Sequence, residues 1–251
     1  MDLKLIGIAA GNPAHLTAEA MAAIAQADII LIPQKGEDKE ELATLRLDLC
    51  DRFGAARVIG FDMPQRDPAI ADYKTRVNLW HDAIAQAWLA ALGPVQPDLK
   101  VALLVWGDPS LFDSTLRIAE RLRAQTQVTL SVVPGLTSIQ LLTAAHAVPL
   151  NALAEPFLVT TGRHLRDGGW PQGVDTLVVM LDGDCAFRGI DPEGVTIWWG
   201  AYLGMAGQIL DHGPLAEAGP RIEASRAQAR AARGWIMDSY LLRRQRPQSA
   251  P

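Results

Sequence analysis

Five short apolar runs punctuate the first half of the chain, and three of them break off into turns of small residues. Residues 3–8 lead into Gly7-Ile8-Ala9-Ala10-Gly11, residues 101–106 into Gly107-Asp108-Pro109, and residues 128–133 into Pro134-Gly135. Apolar runs of strand length without polar alternation belong to strands covered on both faces, the condition of a parallel sheet between two layers of helix. Residues 29–32, stopped by Pro33, and 58–61 read the same way. Helical stretches separate the runs. Residues 18–27 are rich in Ala, with Met21 and Ile24 on one face and Thr17 where an N-cap belongs. A long helical pattern covers residues 70–92, and another runs to Arg123 from a cap at Asp113 or Ser114. The expected fold class is therefore α/β, beginning with a mostly parallel sheet that carries helices on both faces. Such a sheet holds its ligand outside the carboxyl ends of the strands, where all three turns fall.

The second half has a different rhythm. Strand patterns at residues 157–160, 176–181, 196–199 and 235–241 are separated by glycine, proline and acidic turns. They predict a second α/β domain built on a smaller mixed sheet, with the active site in the cleft between the domains. The boundary is placed at Gly135, giving domains 1–135 and 136–251, with residues 147–156 as the competing position. The last six residues, from Arg246, read as a frayed tail.

Composition narrows the function. No apolar run approaches the roughly 20 residues of a membrane span, and Met1-Asp2-Leu3-Lys4 does not open a signal peptide. Cys50 and Cys185 are too few for a disulfide framework or a zinc site, so no metal is expected and a reducing cytoplasm fits. A formal net charge of −5 argues against a partner held by broad phosphate neutralisation.

The three turns carry the candidate chemistry. The first lacks Gly-x-Gly-x-x-Gly spacing and the chain has no Walker lysine, which removes support from dinucleotide oxidoreductases and P-loop nucleotidases. Its small residues let backbone approach a ligand closely, although a tight turn without a ligand uses them equally well. Asp108 either accepts hydrogen bonds from a ligand or closes its own turn on local amides. Thr137 and Ser138 follow the third turn, where capping a helix is their default role.

Together these segments resemble the glycine loop, the Gly-Asp-Pro loop and the Pro-Gly-x-Thr/Ser turn of the tetrapyrrole methylases, the class III methyltransferases. Ile32-Pro33-Gln34-Lys35-Gly36, Leu79-Trp80-His81-Asp82, Thr161-Gly162-Arg163-His164-Leu165-Arg166-Asp167 and Gly234-Trp235-Ile236-Met237-Asp238 resemble the branch that deacetylates a corrin precursor. Two departures stand out. Ala9, Ala10 and Asn12 replace a glycine, a proline and an aspartate of the family's first loop, and Leu181-Asp182 falls where a Met-Gly pair is common.

The resemblance implies S-adenosyl-L-methionine as the cofactor, held at Ala10, Trp106, Gly107, Asp108, Leu111, Thr137 and Ser138. Leu181, Ala201 and Tyr202 would face it from the second domain. It also implies a homodimer, and methylation of ring carbon 1 of precorrin-5 with water-dependent loss of an acetyl group as acetate. Loss of acetate requires a general base and a donor to the developing oxyanion. His81, Asp82, Asp113 and His164 are the candidates for the base. Arg163 and Arg166 are the candidate forks for the substrate's carboxylates, with His164 beside them. Arg243, Arg244 and Arg246 read instead as a solvated tail, and Trp106, Trp198 and Trp199 as packing rather than a macrocycle platform. Other precorrin methylases and a catalytically silent binding module are the competing readings, and the acidic balance disfavours the family's RNA-acting members.

Overall fold

A computed structural model of the chain describes residues 1–34, 40–54, 57–94 and 96–245. Lys35, Gly36 and the expected tail from Arg246 lie outside the described residues. The chain divides into two compact units, Met1–Thr137 and Ser138–Pro251.

The first unit runs β1 (Asp2–Gly7), α1 (Ala18–Ala25), β2 (Ile29–Gln34), α2 (Glu40–Phe53), β3 (Val58–Asp62), α3 (Tyr73–Leu92), β4 (Lys100–Val105), α4 (Thr115–Arg123) and β5 (Thr129–Val133). Its five strands are all parallel, in the order β3-β2-β4-β1-β5. The apolar runs of β1, β2 and β4 are unbroken because both faces of these strands are buried, whereas the edge strands β3 and β5 bury chiefly Phe61 and Val133. Leu3, Leu5, Ile29, Leu31, Val101, Leu103 and Val105 point into the core under α3 and α4. Ile6, Ile30, Ile32, Ala102 and Leu104 point into the core under α1 and α2. Alternation is hidden in the sequence because each side of the pleat meets helices. The doubly wound, parallel arrangement agrees with the expectation.

Local chemistry sets the helix starts. Thr17 Oγ1 accepts the N–H of Ala20 at 3.0 Å, and Asp72 Oδ2 accepts that of Thr75 at 2.7 Å. At α4 the N-cap position is Ser114, whose side chain makes no capping bond. Asp113 Oδ1 takes the Thr115 N–H instead, at 2.6 Å. Pro33 does not stop β2 as expected. The ladder to β4 ends at Leu31, so a residue without an N–H is tolerated beyond it while pairing with β3 continues to Gln34.

The second unit contains α5 (Ser138–His146), β6 (Leu158–Thr161), α6 (Gly162–Gly168), β7 (Thr176–Met180), β8 (Val195–Ala201), β9 (Ile209–Pro214), α7 (Leu215–Arg233) and β10 (Asp238–Arg244). Its sheet is mixed, in the order β6-β7-β10-β8-β9, with only the β6–β7 pair parallel. Trp199, Tyr202, Phe187 and Tyr240 centre the core. Arg243 and Arg244 belong to β10 rather than to a tail. The Arg243 guanidinium donates to the carbonyls of Pro149 and Leu150 at 2.7 and 3.1 Å and lies over Trp198.

Candidate active site

In the first unit β4, β1 and β5 are neighbours, with Gly7 level with Val105 and Ile6 level with Val133. Their following loops therefore meet at the carboxyl edge of the sheet. The Gly107 N–H donates to the Ala9 carbonyl at 2.7 Å, tying the first loop to the second. The Gly135 N–H donates to Asp108 Oδ2 at 2.9 Å, tying the second to the third. A Cβ on Gly135 would lie 2.2 Å from the Gly107 carbonyl oxygen, and one on Gly7 would lie 2.8 Å from the same atom. These two glycines thus permit backbone to approach backbone.

Gly107 is different: a Cβ there would meet nothing nearer than 3.8 Å, but its φ is +66°. Ala9 and Phe112 adopt left-handed φ of 50° and 49°, values that are strained for residues with a Cβ. The first two loops thus hold residues in unusual conformations where the three loops meet. Ala10 and Thr137 are buried there, and Trp106, Gly107, Asp108 and Leu111 are half-buried.

Asp108 closes its own turn. Oδ1 accepts both the N–H and the hydroxyl of Ser110, while Oδ2 accepts from Gly135. Partial burial pushes its pKa up, but the bonds from the Ser110 side chain, Gly135 and the Ser110 amide outweigh it and hold the carboxyl below its usual value. The carboxylate is anionic, and the three loops that meet around it contain no Lys or Arg.

Arg46 of α2 is a residue that sequence reasoning missed. It is buried, donates from Nε to the Leu104 carbonyl at 3.0 Å and holds its guanidinium 4.7 Å from the centre of the Trp106 ring. Burial, opposed by Asp113, lowers its pKa to about 10. Its only signal in the sequence is an arginine within a helix of low mean hydropathy. The Trp106 ring that it supports lies 3.0 Å from where a Gly11 Cβ would stand.

His81 and Asp82 lie on α3, away from these loops in sequence. Asp82 pairs with Arg121 of α4, which also donates to Asn78 Oδ1 at 2.9 Å. His81 is 2% exposed, and neither ring nitrogen has a partner. Asp113 is half-buried and occupied at Thr115.

In the second unit Leu181, at the end of β7, has φ +53° and is 67% exposed. The buried Asp182 anchors it. Its carboxylate accepts the N–H of Asp184 at 3.0 Å and of Ala186 at 2.6 Å, and the hydroxyl of Tyr240 at 2.6 Å. Arg226 donates to the carbonyls of Asp182 and Gly183 while paired with Asp238 at 2.9 Å, and Asp238 also accepts from Trp199 Nε1. Gly162 is required beside this network, because its Cβ would lie 2.4 Å from the Asp182 carboxylate.

Tyr202 has φ +52°, and its hydroxyl donates to the Trp235 carbonyl at 2.7 Å, so its ring belongs to the core. Ala201 is buried, and the Ser138 hydroxyl bonds Ser239 at 3.0 Å. Arg163, His164 and Arg166 sit on the short helix α6 rather than on a loop, all exposed. Arg166 is already paired with Asp167 and Asp184.

A parallel sheet whose loops after β1, β4 and β5 interlock, followed by a mixed sheet, defines a class on comparison with known proteins. Residues 2–219 match the family model of the tetrapyrrole (corrin/porphyrin) methylases, and the chain belongs to that family. It is 44% identical over 248 residues to a deacetylating precorrin-6A synthase of Sinorhizobium sp., covering 96% of this chain and 95% of that one. A Corynebacterium diphtheriae protein described as related to cobalamin synthesis (CobF) superposes with a TM-score of 0.81 at 35% identity, over 97% of this chain and 99% of that one. A Thermus thermophilus uroporphyrin-III C-methyltransferase complexed with S-adenosyl homocysteine shares the fold at a TM-score of 0.57 and 20% identity, over 96% and 97% of the two chains.

Proposed function

We propose that this chain is an S-adenosyl-L-methionine-dependent C-methyltransferase that methylates ring carbon 1 of precorrin-5 and releases its acetyl group as acetate, the activity of a deacetylating precorrin-6A synthase. The observation that carries the reading is likeness to a protein of that name along nearly the full length of both chains.

The meeting of the three loops suits the cofactor chemically. It is built from backbone and small residues, bordered by Trp106 and Leu111, and carries the anionic Asp108, while the nearby Arg46 cation is engaged with the Leu104 carbonyl and the Trp106 ring. Ala10, Trp106, Gly107, Asp108, Leu111 and Thr137 would hold it in the first unit. Ser138, Leu181, Ala201 and Tyr202 are the proposed contacts of the second, with Tyr202 restricted to its backbone. When bound, the cofactor supplies a methyl group activated on sulfur. The chain contributes position and exclusion of water, which is most of what such a transfer requires.

Deacetylation asks more of the side chains. His81, Asp82, Asp113 and His164 are carried forward as candidates for the base that activates water. Replacing each singly and following acetate and S-adenosylhomocysteine in one assay identifies it: the base variant loses acetate release and keeps some methyl transfer. If no replacement separates the two products, the base lies elsewhere.

The reading includes a homodimer acting in the cytoplasm on an anionic tetrapyrrole, with neither nucleic acid nor membrane as partner. Support comes from the family resemblance and the net charge of −5. Among the described residues, no helix is long and apolar enough to cross a membrane. Light scattering tests the dimer. Calorimetric titration with S-adenosyl-L-methionine tests the cofactor, and absence of binding by the folded chain would remove the methyltransferase reading.

A further inference from the structure

The α3 helix has 20 residues, about 30 Å of length, against nine residues in its neighbour α4. Both start at the carboxyl edge of the sheet and pack together, with Asn78 and Asp82 bonded to Arg121. The segment between β3 and α3 folds against the first turns of α3. Trp80 Nε1 donates to the Pro64 carbonyl at 2.7 Å, and the Arg66 guanidinium lies 4.1 Å from the centre of the Trp80 ring. Exposed Arg117 stands in the first turn of α4, donating to the Asp113 carbonyl at 2.9 Å. Among the described residues neither Arg66 nor Arg117 has a carboxylate partner, in a chain of net charge −5.

Next to Trp80 on α3 is His81, 2% exposed, tilted against the Trp80 ring and without a partner for either ring nitrogen. A buried polar group left unpaired is costly and calls for an explanation. Arg66 faces it from the segment before α3, Asp82 from α3 itself, and Arg117 and Arg121 from α4. Burial first, then Arg121, Arg117 and Arg66, keep its pKa low against the opposing Asp82, so the ring is neutral and offers one N–H. Arg121 is committed to Asp82 and Asn78, so among the described residues Arg66, Arg117 and the His81 ring are the groups here without a carboxylate partner.

We infer that Arg66, Arg117 and His81 form a carboxylate-receiving site that holds an acid side chain of the tetrapyrrole. That identity of the ligand rests on the functional reading above. A carboxylate seated between the two guanidinium groups pairs with both, and as their side chains part it gives His81 the acceptor its ring lacks. The site contrasts with α6, where Arg166 already has two carboxylates.

The test uses the full chain and uroporphyrin, a stable tetrapyrrole polycarboxylate, with affinity read by fluorescence quenching at low and moderate salt. Replacing Arg66→Gln and Arg117→Gln together should weaken uroporphyrin binding about tenfold or more and flatten its salt dependence. Replacing both by Lys should recover part of the loss, and Arg163→Gln with Arg166→Gln should cost less than the first pair. In histidine-labelled protein, uroporphyrin should shift the His81 ring resonances and raise the pH at which they titrate. Unchanged affinity in the Gln pair, no advantage of Lys over Gln, or His81 resonances indifferent to uroporphyrin each overturn the proposal. S-adenosylhomocysteine binding on the same samples reports on the functional reading separately. A chain that binds uroporphyrin through Arg66 and Arg117 but never binds S-adenosylhomocysteine keeps the anion site and loses the methyltransferase reading.

Discussion

Gly7 and Gly135 meet backbone to backbone: a Cβ on Gly7 would fall 2.6 Å from the Gly135 amide nitrogen. No side chain is there to move aside, so the strands that carry the two loops would have to part. Gly135→Ala should therefore destabilise the protein by about 3 kcal/mol or more. Gly107→Ala has room for its methyl and pays only for its positive φ, about 1 to 2 kcal/mol. Urea unfolding of the two variants checks the order, and equal losses would mean that the loops do not interlock as described.

Asp108 joins the second loop to the third, and its carboxyl is held below its usual pKa. Asp108→Ala should cost about 1 to 3 kcal/mol of stability at neutral pH from the lost charge-assisted bonds, and should weaken S-adenosyl-L-methionine binding. The sign of the pH effect follows from the lowered value. The stabilisation is complete above the unfolded carboxyl pKa of about 3.9, and is lost as pH falls through the lower folded value. Wild type and variant should thus converge only in acid. A gap that stays constant down to low pH would show that the carboxylate charge contributes nothing.

Leu181 sits exposed in a left-handed conformation, held there by the Asp182 and Arg226 bonds. A strained apolar residue in solvent is a cost with no return in folding. Leu181→Gly should raise stability by up to about 1 kcal/mol, because glycine accepts this φ freely. The same change should weaken cofactor binding. Thermal unfolding and calorimetry on one variant test both halves, and a stabilised variant with undiminished affinity would remove Leu181 from the site.

The sequence made the centre of the first sheet legible because β1, β2 and β4 are continuous apolar runs bounded by turns, and burial on both faces leaves that signature, while the edge strands β3 and β5 bury little beyond Phe61 and Val133. The second unit was legible only in part. The edge strand β9 carries Asp211, His212, Gly213 and Pro214, with one face open and little apolar content to announce it. The α7 helix is broken in composition by Gly219-Pro220, yet Ala218, Ile222, Arg226 and Ala229 bury one face of it. The meeting of the three turns was legible, because adjacency in a parallel sheet follows from topology. The local bonds of Asp108 to Ser110 were among the readings the sequence offered, but its bond to Gly135 and the interlocked glycines were not, since those contacts join residues 27 or more positions apart. Arg46 and the Arg226–Asp238 pair were missed for a similar reason: a buried cation is indistinguishable from a surface one until its burial is known.

The central claim is that one chain couples methyl transfer to deacetylation. The direct measurement is to supply the purified protein with precorrin-5 and S-adenosyl-L-methionine, then quantify S-adenosylhomocysteine and acetate as the reaction proceeds. The account predicts that both accumulate in equal amounts, with precorrin-6A as the product. Methylation without acetate release, or a chain that binds the cofactor and leaves precorrin-5 unchanged, would contradict it.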